Sequence, residues 1–283
     1  MTNGVPKPAV HVRGLSKAYG RLQAVRELDL DVDYGEVVAI LGPNGAGKST
    51  TIEILEGHRK RDSGHVRVLG DDPGTAGRTW RARIGIVLQE ASDFGMLTVS
   101  ETVRMFAECY AESRAPADVL EMVGLGLTSG SKVRTLSGGQ RRRLDVALGI
   151  IAMPELLFLD EPTTGFDPEA RRQFWDLIRL LARDGTTIVL TTHYLEEAAA
   201  LADRVAVIAK GRVVAVDSPG RLTAHATSAA TVRWVEDGRV HVEMTEHPTE
   251  LIRRRSMDGV ELTELTVTRP TLEDAYLQLI GIA

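Results

Sequence analysis

The chain holds 283 residues, 43% apolar and 26% charged, with a net charge of −5 and a pI near 5.9. That suffices for one large domain, or one domain with a small appendage, and the acidic balance gives no reason to expect nucleic acid as a partner. A single cysteine, Cys109, excludes an internal disulfide framework and any Cys-x-x-Cys metal site, which suits a reducing cytosol.

Val10 and Val12, then Leu28, Leu30 and Val32, alternate with polar residues, as half-exposed antiparallel strands do. Val37 to Leu41 is an unbroken apolar run, the mark of a strand buried on both faces. Gly42-Pro43-Asn44-Gly45-Ala46-Gly47-Lys48-Ser49-Thr50 follows directly, and then a helical stretch from Thr51 to Leu55. This is G-x-x-x-x-G-K-[ST] between a strand and a helix, the setting in which the pattern has meaning. Its glycines let backbone N–H groups turn toward a polyphosphate, and the helix N-terminus adds a favourable dipole. Lys48 can neutralise the β- and γ-phosphates, and the Ser49 hydroxyl suits Mg²⁺. A bound nucleoside triphosphate is expected.

Val66 and Val68 resume the alternating pattern after the turn Asp62-Ser63-Gly64. A mostly helical insert is expected over roughly 90–149. Within it Thr98 and Glu101 have capping-box spacing, and Val103, Phe106, Ala107 and Tyr110 share one helical face. Cys109 falls in this pattern and reads as a packing residue. Leu136-Ser137-Gly138-Gly139-Gln140 is a second glycine-rich helix start, with Ser137 able to cap it. One triphosphate loop and two phosphate-ready helix starts make sense if the second serves the nucleotide of another copy. The arginines 141–143 that follow read as a solvated face, as do arginines 253–255 near the other end.

Leu156 to Leu159 is a buried strand that ends in Asp160 and Glu161. Asp160 is the natural Mg²⁺ partner, because Mg²⁺ keeps several waters and uses few carboxylates. Glu161 can polarise a water for attack on the γ-phosphate. Asp167-Pro168 is a helix start and Gly185 a stop, with Ala170, Phe174, Leu177, Ile178 and Leu181 as the buried stripe. Ile188 to Leu190 and Val205 to Ile208 are further strands of a parallel sheet. Past the Ser218-Pro219-Gly220 turn, short alternating strands between Thr231 and Thr268 and a helix capped at Thr271–Asp274 form a small appended domain. No stretch reaches the roughly 18 apolar residues that span a bilayer, and Met1 to Val10 lacks a signal peptide's apolar core. Any membrane span is expected from another polypeptide.

In order and spacing, from about Ala9 to Asp217, these motifs resemble the ATP-binding-cassette (ABC) ATPases. The resemblance implies an α/β P-loop NTPase core over 9–218: a mixed sheet with an N-terminal antiparallel β-subdomain and a helical subdomain at about 90–149. A small C-terminal α+β appendage would occupy 219–283. It further implies that Tyr19 stacks on adenine, that Gln89 touches the metal and the attacking water, and that His193 hydrogen-bonds the γ-phosphate. Thr164-Gly165-Phe166-Asp167 corresponds to the loop that meets the opposing subunit, with Phe166 where leucine is more usual. ATP and Mg²⁺ are the implied cofactors. The implied assembly is a head-to-tail homodimer in which Gly42 to Thr50 and Gln89 of one copy, with Ser137, Gly139 and Gln140 of the other, enclose each ATP. Leu159 to Pro168, Thr191 to Ala198 and Arg269 to Leu277 are similar to the daunorubicin-resistance-like branch of separate-subunit exporters of drugs, antibiotics, lipids or polysaccharide. Such a chain would work at the cytoplasmic face of the membrane with a polytopic permease, whose short cytoplasmic helix would meet the surface around Gln89 to Val99. An importer subunit, or a cassette ATPase acting on ribosomes or DNA, are the other readings. The single cassette, the lack of sustained heptads and the acidic pI speak against the last.

Overall fold

The structure is a computed structural model that describes residues 7–87, 94–226, 229–236, 238–256 and 261–282. The first alternating segments form an antiparallel hairpin, β1 (Val10–Tyr19) and β2 (Leu22–Val32), which buries Val10, Val12, Leu15, Val25, Leu28, Leu30 and Val32. β3 (Val37–Leu41) is buried at every position and feeds the glycine-rich loop and α1 (Lys48–Leu55). That helix starts at Lys48, three residues before the expected Thr51. β4 (Ser63–Val68) pairs antiparallel with β1, which gives a small sheet in the order β2-β1-β4. The single turn α2 (Arg78–Arg81) buries Trp80, whose indole N–H donates to the Val68 carbonyl at 2.8 Å, and β5 (Ile84–Val87) follows.

The insert carries α3 (Val99–Ala107), α4 (Pro116–Met122) and α5 (Gly138–Ile150). α3 has the expected capping box: Thr98 Oγ1 accepts the Glu101 N–H at 3.2 Å, and the Glu101 carboxylate accepts the Thr98 N–H at 2.8 Å. Val103 and Ala107 are buried, but the helix ends before Cys109. That cysteine is exposed, its thiol donating to the Met105 carbonyl at 3.4 Å, so the packing role is corrected.

β6 (Leu156–Asp160) leads to α6 (Pro168–Arg183), capped by Asp167, whose carboxylate accepts the Glu169 and Ala170 N–H groups at 3.0 and 2.8 Å. Phe174, Leu177, Ile178 and Leu181 are its buried stripe. β7 (Thr187–Thr191), α7 (Leu195–Leu201), β8 (Arg204–Ala209) and β9 (Arg212–Asp217) complete a six-stranded sheet in the order β5-β6-β7-β3-β8-β9. β5/β6, β6/β7, β7/β3 and β3/β8 are parallel pairs. Their carboxyl ends therefore share one edge, where open α/β sheets bind ligands. The glycine-rich loop leaves β3 there, two strands from the acids that end β6.

Contacts divide the chain into two units, one up to Val216 and another from Asp217. The second contains α8 (Pro219–Ala226), β10 (Ala230–Glu236), β11 (Arg239–Thr245), α9 (Pro248–Arg255), β12 (Thr263–Thr268) and α10 (Leu272–Ile282). Its sheet order is β11-β10-β12. Thr271 and Asp274 cap α10 reciprocally, at 2.8 and 3.4 Å. Ser218-Pro219-Gly220 opens a helix and is not a bare turn: Pro219 takes the first helical position, and Ser218 Oγ accepts the Arg221 N–H at 3.4 Å. Arginines 253–255 lie in α9, a helix the sequence reading lacked. Leu251 of that helix is buried with Val232 and Trp234 of β10, while Arg254 and Arg255 reach Glu243 at 3.8 and 3.5 Å.

Candidate active site

The loop from Gly42 to Thr50 is shaped by close backbone approach. A Cβ on Gly42 would lie 2.3 Å from the Ile208 carbonyl oxygen, and one on Gly47 2.3 Å from that of Ala24. Gly47 also has φ of 103°, so both steric space and backbone conformation demand glycine. Ala46 is buried, whereas Pro43, Asn44, Gly45 and Ser49 are exposed and Thr50 half-buried, so the loop's rim faces solvent. The Lys48 side chain is buried and folds back on its own loop, donating to the Gly42 and Pro43 carbonyls at 2.7 and 3.2 Å. Burial lowers its pKa, against the opposing pull of Glu161 and Asp160.

At the end of β6, Thr191 Oγ1 donates to Asp160 Oδ1 and accepts the Glu161 N–H at 3.1 Å. β7 thus holds both acids through one threonine. Glu161 has φ of 45°, a left-handed backbone that costs a side-chain-bearing residue free energy and persists where neighbours enforce it. Its carboxylate accepts from Thr164 Oγ1 at 3.4 Å and lies 3.4 Å from His193 Nδ1. His193 is half exposed, and its ring lies 4.0 Å from that of Tyr194, over which Arg171 sits at 4.4 Å. Asp160, Glu161 and His193 are therefore one cluster on the sheet edge that also bears Lys48.

Arg142 corrects the expectation of a solvated arginine run. It is 7% exposed, and its guanidinium reaches from α5 to the Asp160 and Pro162 carbonyls, the second at 3.2 Å. It grips the carbonyls of the residues on either side of Glu161. Burial lowers its pKa, with Asp145, Asp160, Glu161 and Glu197 opposing. A faint signal was available, since Arg142, Val146 and Gly149 recur at helical spacing on the buried face of α5. Arg142→Met should keep the bulk but release both carbonyls, so that turnover falls about tenfold, roughly 1.4 kcal/mol of barrier, with KM for ATP little changed. Steady-state ATPase assays check this, with Arg142→Lys as a partial rescue.

Ser137 and Gln140 form a capping box: Ser137 Oγ accepts the Gln140 N–H at 3.2 Å and Gln140 Oε1 accepts the Ser137 N–H at 3.0 Å. Gln140 is thus placed as a brace of the helix start. Ser137 and Gly138 are exposed, and the Phe166 ring lies 4.0 Å from where a Cβ on Gly139 would stand. Phe166 packs edge-on against Phe174, so the larger residue is absorbed by the α6 stripe. Tyr19, 39% exposed, has Arg59 and Lys17 over its ring at 5.3 and 5.7 Å. Gln89 lies outside the described residues. Among the described residues no group of three or more His, Cys, Asp or Glu side chains is arranged to hold a metal ion.

Sequence reasoning missed Glu56. It is 3% exposed after the last turn of α1 and lies 3.3 Å from His58. Burial, reinforced by Asp160 and Glu53, pushes its carboxyl up to about 8. The folded chain keeps this proton to about pH 8, while an unfolded one releases it near 4.5, so stability falls as pH rises through that window. Glu56→Gln should flatten the fall and stabilise the nucleotide-free protein at about pH 8 by a few kcal/mol, read from urea midpoints.

A family model described as ABC transporter matches residues 25–164. The daunorubicin/doxorubicin resistance ATP-binding protein DrrA of Streptomyces peucetius is 47% identical over 225 residues, which covers 78% of this chain and 68% of that one. The Nod factor export ATP-binding protein I of Rhizobium sp. (strain N33) is 35% identical, with 97% of this chain and 98% of that protein covered. The chain belongs to the ABC transporter family. It is an ATP-binding, ATP-hydrolysing cassette. Among solved structures, a dimeric ATP-binding cassette in a post-hydrolysis state with ADP and Pi superposes with a TM-score of 0.67 at 26% identity, over 74% of this chain and 98% of that one. Among the described residues of this cassette no helix is long and apolar enough to cross a membrane.

Proposed function

We propose that the cassette is the motor of an exporter, bound at the cytoplasmic face of the membrane to a separate polytopic permease, and that two copies close head to tail on ATP. The observation that carries this reading is the capped, outward-facing start of α5 at Ser137 and Gly138, a second anion-ready helix N-terminus in a chain with one phosphate loop. The printed names of the relatives, resistance and Nod factor export, favour the outward direction.

In each site Tyr19 stacks on adenine and the N–H groups of the Gly42–Thr50 loop cradle the phosphates. The Lys48 amine exchanges its loop carbonyls for β- and γ-phosphate oxygens. Ser49, Asp160 and Gln89 suit Mg²⁺ as hard oxygen donors, and the ion supplies charge neutralisation on the triphosphate. Glu161 accepts the proton of the water whose oxygen attacks the γ-phosphorus, while His193 holds the γ-phosphate and ADP departs. Ser137, Gly139 and Gln140 of the second copy close the far side. Arg142 couples the two halves, because the helix that serves one nucleotide holds the peptides around the base that serves another.

A cavity of about 240 Å³ lined by Glu56, His58, Arg81, Phe106, Tyr110 and Asp145 lies between the strand core and the helical insert. Its lining mixes apolar groups with both acidic and basic side chains, which suits an amphipathic helix end. Affinity capture of the cassette from its native membranes should bring a polytopic protein with it. Recovery of the cassette free of any membrane protein contradicts the reading.

A further inference from the structure

We propose that β11 is a self-pairing edge strand through which two copies of this chain join their appended units without nucleotide. The two edges of the β11-β10-β12 sheet are built differently. β12 is protected: its register with β10 shifts between Arg233 and Val235, Glu264 takes φ of 50°, and Thr263, Thr266 and Thr268 lie along it. β11 is less guarded: its charges are Arg239 at one end and Glu243, which Arg254 and Arg255 hold. Its seven residues pair with β10 without a break, and it contains no proline, glycine or lysine. Alternate residues of such an edge turn their backbone N–H and C=O groups outward, a template for another strand.

On one face of β11 stand Val240, Val242 and Met244, which are 57, 61 and 65% exposed. On the other face His241 stacks on Trp234 at 5.3 Å, and Glu243 is held by Arg254 and Arg255. The sequence Arg239-Val240-His241-Val242-Glu243-Met244-Thr245 is self-complementary when run against itself about Val242. That register pairs all seven residues. Val242 meets Val242, Val240 meets Met244, and His241 meets Glu243 of the second copy. Moving the centre one residue back sets His241 against His241, and one forward sets Glu243 against Glu243, like groups that cross-strand pairing disfavours. An antiparallel strand pair is two-fold symmetric by construction, as a homodimer contact requires. The product is a six-stranded sheet with an unbroken apolar row across its centre.

This contact is independent of the nucleotide sandwich, and the test keeps the two apart. In full-length, nucleotide-free protein carrying Cys109→Ser, Val242→Cys places two thiols across the axis, with Cα atoms about 4.5–5.5 Å apart and within disulfide reach. Mild oxidation should convert most of it to a covalent dimer, while Leu265→Cys on β12 stays monomeric. Val240→Cys should crosslink to an added Met244→Cys chain faster than to itself. Equal rates for Val242→Cys and Leu265→Cys overturn the proposal, as does self-crosslinking of Val240→Cys as fast as the mixture. Dimerisation of a Glu161→Gln chain on ATP, measured separately, stands or falls with the catalytic reading alone.

Discussion

Glu161→Gln is expected to bind ATP like the parent, to lose turnover by about 10²–10⁴-fold and to accumulate as a closed dimer on ATP. The substitution keeps the volume and the acceptor that faces Thr164, and it leaves the left-handed backbone tied to Thr191. What disappears is the group able to take a proton from water. Binding energy from the phosphate loop is untouched, so the state before hydrolysis is retained and has no route onward. Single-turnover assays and light scattering with ATP read the two halves of the outcome. Near-parent hydrolysis moves the base away from Glu161.

Lys48→Ala should abolish nucleotide-dependent stabilisation. The parent is expected to gain about 2.7 kcal/mol at ATP one hundred times above Kd, and the variant close to nothing at the same concentration. The amine is buried and its pKa lowered, so its removal relieves a desolvation cost in the empty protein. The unliganded variant should therefore melt no lower than the parent. Thermal unfolding with and without ATP separates a lost ligand contact from a damaged fold.

The parts of this site legible in the sequence are those built by local rules. A strand, glycines at fixed offsets and a lysine declare the phosphate loop, and the capping boxes at Thr98 and Thr271, like the cap at Ser137, need only a four-residue window. The terminal acids of β6 are legible because a buried strand must end at the sheet edge. Arg142 was read as solvated because a run of three arginines carries no information on which one turns inward. Its role depends on α5 packing across the end of β6, a tertiary fact. Glu56 was silent for the same reason, since its perturbation comes from burial and from Asp160, over a hundred positions away. In the appendage, Pro219 read as a turn residue although proline fits the first turn of a helix equally well, and α9 was hidden by its arginines. Gln89 rests on family resemblance alone, outside the described residues.

The central claim is that each active site is shared between two copies. Its most direct measurement is the ATPase rate of Lys48→Ala mixed in equal amounts with Ser137→Arg. Each chain alone should be inert, because every site in either homodimer carries one lesion. In a mixed dimer one site carries both lesions and the other carries neither, so the mixture should recover about a quarter of the parent rate. A mixture no faster than its separate components, or a Ser137→Arg chain that turns over ATP alone at the parent rate, contradicts the shared site.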